Sequence, residues 1–145
     1  MRYYQFLLAV LLSTNLFAAE PQPYLKSAPV PFYPVIAHTA RIQGTVTLKA
    51  AITERGDTSD IVATSGHPLL KEAAIQNIRE WKFAWSGPCA CRAIREITLT
   101  YKLSGKLESS ASPAVTIRWF GSKWDEKVRV EIEADELPVN VQISH

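Results

Sequence analysis

The sequence predicts an α+β fold: a three-stranded antiparallel sheet with one short and one longer helix packed on it, plus a β-rich C-terminal extension. Three observations carry this. Residues 43–53 alternate between apolar and polar, residues 94–103 do so again, and between them Leu70, Ala74, Ile78 and Trp81 recur at helical spacing. The chain divides into a leader (1–19), a proline-rich lead-in (20–30), a domain (31–103), a linker (104–113) and the extension (114–145).

The leader has a single basic residue, Arg2, then an apolar run over residues 6–12 that Ser13, Thr14 and Asn15 interrupt. Leu16-Phe17-Ala18-Ala19 then offers small residues for cleavage. This is the architecture of a secretory signal peptide, and the run is short for a bilayer span. Retention as an uncleaved membrane anchor is the alternative. Pro21, Pro23 and Pro29 make the lead-in extended, because proline fixes φ and removes a donor.

Pro34 opens a short helix over residues 35–41, where its missing N–H costs nothing. Val46, Leu48, Ala50 and Ile52 then point one way, and Thr45, Thr47, Lys49 and Thr53 the other, as in a strand with one wet face. Gly56 supplies the positive φ of a hairpin loop, and residues 60–65 return as the second strand. Pro68 starts the longer helix, with His67 or Ser65 as its cap. Lys71, Glu72, Gln76, Arg79 and Glu80 fall on its wet faces, and Trp81 and Phe83 read as core anchors. In the third strand Ile97, Leu99, Tyr101 and Leu103 oppose Glu96, Thr98, Thr100 and Lys102.

Beyond the serine-rich linker, Val115, Ile117 and Trp119 alternate, as do Val128, Val130 and Ile132, and Val139, Val141 and Ile143 form a last short strand. So few strands do not stabilise themselves in water, so they need the main sheet, each other or a partner. Glu131 and Glu133 share one strand face, where solvation accounts for them.

Tyr33-Pro34, Ile42-x-Gly44 leading into a strand, Gly56 in a turn, Ser65-Gly66, and an amphipathic segment closing on Trp81-Lys82-Phe83 follow one another in a set order. In that order and spacing the stretch 31–103 resembles the TonB C-terminal domain family, the periplasmic module of Gram-negative energy transducers. Phe32 stands where many members carry a polar residue. The resemblance implies protein binding in energy-coupled transport across the outer membrane. The partner would be a TonB-dependent outer-membrane receptor or another periplasmic protein. The last strand of the domain would be an exposed edge accepting an extended peptide by strand addition, with main-chain hydrogen bonds carrying affinity. The implied partner-binding residues are Tyr33 and Pro34 at the domain start and Glu96, Ile97, Thr98, Leu99, Thr100, Tyr101 and Lys102 on the edge. Contact with the inner-membrane motor would follow only if the leader is kept as an anchor.

The extension lies outside this resemblance and comes directly after the binding strand. It either covers that edge or stands beside it as an appendage. A soluble periplasmic adaptor without force transduction, or a homodimer joined through exposed strands, is the alternative function.

Other chemistry is sparse. A net charge of +2 demands no basic surface, so nucleic-acid binding is not expected. His38, His67 and His145 are isolated and no spaced Cys/His set accompanies them, so neither a metal nor a cofactor is expected. The glycines sit singly at turns, away from any phosphate-loop pattern. Cys89 and Cys91, separated by Ala90, form a local disulfide in an oxidising compartment. A thiol-dependent enzyme is the less favoured alternative, because Cys-Ala-Cys is not the thioredoxin-like Cys-x-x-Cys. The chain is therefore read as a non-enzyme.

Overall fold

The computed structural model describes residues 19–107, 115–120 and 127–136. The leader and the strand expected over residues 139–143 lie outside the described residues. The elements are β1 (Pro23–Ser27), α1 (Val35–Thr39), β2 (Gly44–Ile52), β3 (Thr58–Ser65), α2 (Pro68–Arg79), β4 (Lys82–Trp85), β5 (Ala93–Leu107), β6 (Val115–Phe120) and β7 (Lys127–Glu136).

The fold is α+β, but the sheet is larger than the expected three strands. Among the described residues five strands run in the order β3-β2-β5-β7-β6, and β1 and β4 form a separate antiparallel pair. The expected three strands are β3, β2 and β5. The additional pair arises because the lead-in, free of helix by its prolines, runs alongside the chain leaving α2, with Pro23 opposite Trp85 and Leu25 opposite Phe83. Arg95, buried in β5, holds β1 in place by donating from Nη2 to the Pro23 carbonyl at 3.2 Å.

The β2–β3 turn is fastened to β4. Phe83 donates its N–H to the Gly56 carbonyl at 2.8 Å, and Lys82 Nζ reaches Asp57 Oδ1 at 2.7 Å. Gly56 has φ +83°, and a Cβ there would lie 1.9 Å from the Phe83 carbonyl oxygen, so only glycine permits this approach.

Helix α2 begins at Pro68, with His67 Nδ1 accepting from the Leu69 N–H at 3.3 Å. Its buried side, including Leu70, Ala74 and Ile78, lies on the face of the sheet formed by Val46, Leu48, Ile97 and Leu99. Trp81 is wholly buried at the exit from the helix. Its ring centroid is 5.3 Å from that of Trp119 on β6, so the helix end and the extension share one aromatic contact. Val128, Val130, Ile132 and Ala134 of β7 belong to the same core as the domain. Among the described residues no helix is long and apolar enough to cross a membrane.

Candidate partner-binding site

The strand expected to be an open edge is paired on both sides. β2 runs antiparallel along one side of β5, from Gly44 opposite Tyr101 to Ile52 opposite Ala93. Along the other, β7 lies parallel, with Glu96 opposite Lys127 and an unbroken register through to Leu103 opposite Ala134. The candidate residues Glu96, Ile97, Thr98, Leu99, Thr100, Tyr101 and Lys102 therefore form an interior strand. Of the two places open to the extension, the structure has the one over the edge. The reason is that β7 has apolar residues to bury and β5 has a row of main-chain groups to satisfy, and one pairing does both.

The pairing has a dry face and a wet one. Ile97, Leu99, Tyr101 and Leu103 meet Val128, Val130, Ile132 and Ala134 on the α2 side. On the open side an ion-pair network crosses three strands. Lys102 Nζ is 2.5 Å from Glu131 Oε2, and Arg118 of β6 bonds to both Glu131 and Glu133. Glu131 is 9% exposed, so it is not the solvated residue that strand alternation suggests. The Lys102 ammonium, hydrogen-bonded to Glu131, holds that carboxyl below the usual range, with Arg118 adding to the effect. Lys127 pairs with Glu96 at 3.3 Å where β7 enters.

The exit of β7 is tied to the domain as well. His38 Nε2 donates to the Asp135 carbonyl at 2.6 Å, Ser104 Oγ donates to Asp135 Oδ1 at 2.5 Å, and Arg41 Nη2 is 3.2 Å from Glu136. Sequence reasoning missed this clamp. His38, Arg41 and Asp135 carry no local signal of it, since they meet only through tertiary packing.

Tyr33 and Pro34 lie where the lead-in enters α1, with Pro34 as its N-cap. Tyr33 is buried, donates its hydroxyl to the Ile42 carbonyl at 2.6 Å, and makes edge-on contacts with the rings of His38 and Tyr101. Burial pushes the Tyr33 phenol up to about 12 and the Tyr101 phenol higher still, so both rings stay neutral. Tyr101 lies beneath them with its hydroxyl 3.1 Å from Asn77 Nδ2, and Asn77 also holds the Phe32 N–H and carbonyl at 3.0 and 3.1 Å. The domain start is thus hydrogen-bonded to α2. Beside it, Phe32, Pro34, Val35, Ile36, Leu69 and Ala73 line a shallow apolar groove of about 350 Å³.

Cys89 and Cys91 are joined by a disulfide in the β4–β5 loop. Among the described residues no group of three or more His, Cys, Asp or Glu is placed to hold a metal ion. What the arrangement offers is main-chain pairing and apolar contact, the means of binding polypeptide.

No curated protein matches the chain. The family model described as the C-terminal region of the Gram-negative bacterial TonB protein matches residues 29–103. This is the span that runs from the lead-in's end through α1, the β2–β3 hairpin, α2 and β4 to Leu103 in β5. Members of this family are non-enzymatic protein-binding domains of the cell envelope that serve energy transduction. The match covers just over half of the chain, and the protein belongs to the family of TonB C-terminal domains.

Proposed function

We propose that this chain is a periplasmic protein-binding module in energy-coupled transport across the outer membrane. It would hold an extended segment of a TonB-dependent receptor by strand addition on β5, in exchange for its own β7. The observation that supports this most directly is the β5–β7 pairing itself. β5 takes an extended strand encoded outside the family domain, in parallel register, with small or β-branched side chains on its dry face. Main-chain pairing supplies attachment and the inward pockets supply selectivity.

The test is amide hydrogen exchange of the whole mature chain with and without a synthetic receptor peptide. Bound peptide is expected to speed exchange at Val128, Val130 and Ile132 while β5 stays protected. Binding that leaves β7 exchange unchanged would remove β5 as the docking strand.

A soluble adaptor without force transduction is the second reading, and the same β7 pairing favours it, because a strand that never leaves closes the receptor route. The leader discriminates between them. Export with cleavage after Ala19 would give a mature chain starting at Glu20, measurable as the intact mass of the periplasmic protein. A retained leader would instead favour an anchored transducer able to pull on its receptor.

A further inference from the structure

With β5 enclosed, the rims of the sheet are β3 and β6, and they differ in character. β3 is irregular: its pairing with β2 shifts register between Thr47 and Leu48 and again between Lys49 and Ala51, and Asp60 has φ +46°. Bulges and kinks of this kind protect an edge against pairing with another chain. β6 has none of these protections. It pairs with β7 without a break from Val115 opposite Ala134 to Phe120 opposite Arg129. It contains neither proline nor glycine, and its one charge, Arg118, is already neutralised by Glu131 and Glu133. Among the described residues no strand pairs with its outer side. Val115, Trp119 and Phe120 remain 37%, 45% and 47% exposed.

We infer that β6 is a homodimerisation edge, pairing antiparallel with β6 of a second copy about a two-fold axis at Ile117. The sequence of the strand is self-complementary in this register. Opposite residues of an antiparallel pair share a face. Val115 therefore falls opposite Trp119 of the second copy, Trp119 opposite its Val115, and Ile117 opposite its own equivalent. An aromatic and a β-branched residue make a favourable cross-strand pair. On the open face Arg118 meets Thr116. Shifting the axis to Arg118 would crowd two Arg118 side chains against each other and leave Val115 with no partner inside the strand, which disfavours the slipped register. The interface is isologous and closes after two copies, joining two five-stranded sheets through their rims.

Sedimentation of the mature chain from about 1 to 500 μM is expected to show a monomer–dimer equilibrium, since a single strand pair with few apolar anchors is a small interface. Val115→Asp, at the exposed start of the strand, is expected to raise the dissociation constant at least about tenfold with the melting temperature of the monomer unchanged. Val62→Asp on the exposed β3 rim is the control and leaves the dimer intact. Spin labels placed through Thr116→Cys, with Cys89 and Cys91 held in their disulfide, are expected to approach within about 15 Å, because the two positions are diagonal neighbours across the axis. A chain monomeric over the whole range overturns the inference and leaves the rim to residues 137–145 or to a foreign strand. A dimer that Val62→Asp dissociates and Val115→Asp does not, or labels farther apart than about 20 Å, overturns it equally.

Discussion

Trp81→Ala is expected to destabilise the protein by about 3–5 kcal/mol. The side chain is wholly enclosed, between the end of α2, the sheet and the Trp119 ring 5.3 Å away. Truncation removes the largest apolar surface in the core and leaves a cavity whose walls belong to elements fixed by their own hydrogen bonds, so collapse is limited. The indole N–H finds no acceptor among the described residues, so the loss is one of packing with no polar group left stranded. Chemical denaturation checks the magnitude. A double-mutant cycle with Trp119→Ala isolates the ring pair, and a coupling of about 0.5–1.5 kcal/mol is expected for it. A loss below about 1 kcal/mol for Trp81→Ala would mean that helix and extension are not joined through this residue.

The second large effect concerns the strand over the binding edge. Val130 is 1% exposed, opposite Leu99 on one side and Trp119 on the other. Val130→Asp places a carboxylate in a buried position between Leu99 and Trp119, at a cost on the order of several kcal/mol. The domain residues around it are fixed by β2 and α2, whereas among the described residues β6 and β7 pair with the domain along β5, with the Trp81–Trp119 contact and the ties of His38 and Arg41 to the end of β7 added to it. Release of the β6–β7 pair from β5 is therefore the less costly response. Expected results are loss of amide protection along the outer side of β5, with β2 and β3 still protected, and at least about tenfold tighter binding of a receptor peptide, equivalent to about 1.4 kcal/mol. Both effects should fade at acid pH, where burial favours the protonated carboxyl and β7 can return. Unchanged peptide affinity after demonstrated release of β7 would show that the extension does not compete for the receptor's place.

These two experiments probe opposite ends of the same arrangement. The apolar face makes β7 part of the core, while the open face fixes its register through Lys102–Glu131, Arg118–Glu133 and Lys127–Glu96. Pairs of this sort, whose cations are more than half exposed, contribute little to stability one by one. Their value here is in register, because a slip of one residue would turn Val130 and Ile132 outward and Glu131 inward.

Much of the domain was legible from local pattern. Alternation placed Val46, Leu48, Ala50 and Ile52 inward, and each is fully buried. Helical spacing identified Leu70, Ala74 and Ile78, proline and His67 marked where that helix starts, and Trp81 and Phe83 were anchors in the sequence as they are in the core. In the extension the alternating Val128, Val130 and Ile132 of β7 are buried, whereas Val115 and Trp119 of β6 remain exposed. The limit of alternation shows at Glu131, where the pattern reported which face the side chain is on but not the ammonium and guanidinium groups waiting there.

By itself, then, the sequence determined the hairpin, the helices, the inward-facing residues and the family, because each depends on contacts or periodicities a few residues long. Only the tertiary structure decided that β1 pairs with β4, that His38 reaches Asp135, and that β7 runs parallel along β5 and turns the expected edge into an interior strand. Strand pairing is made by main-chain groups common to every residue, so periodicity reveals the face a strand presents and not the neighbour it takes.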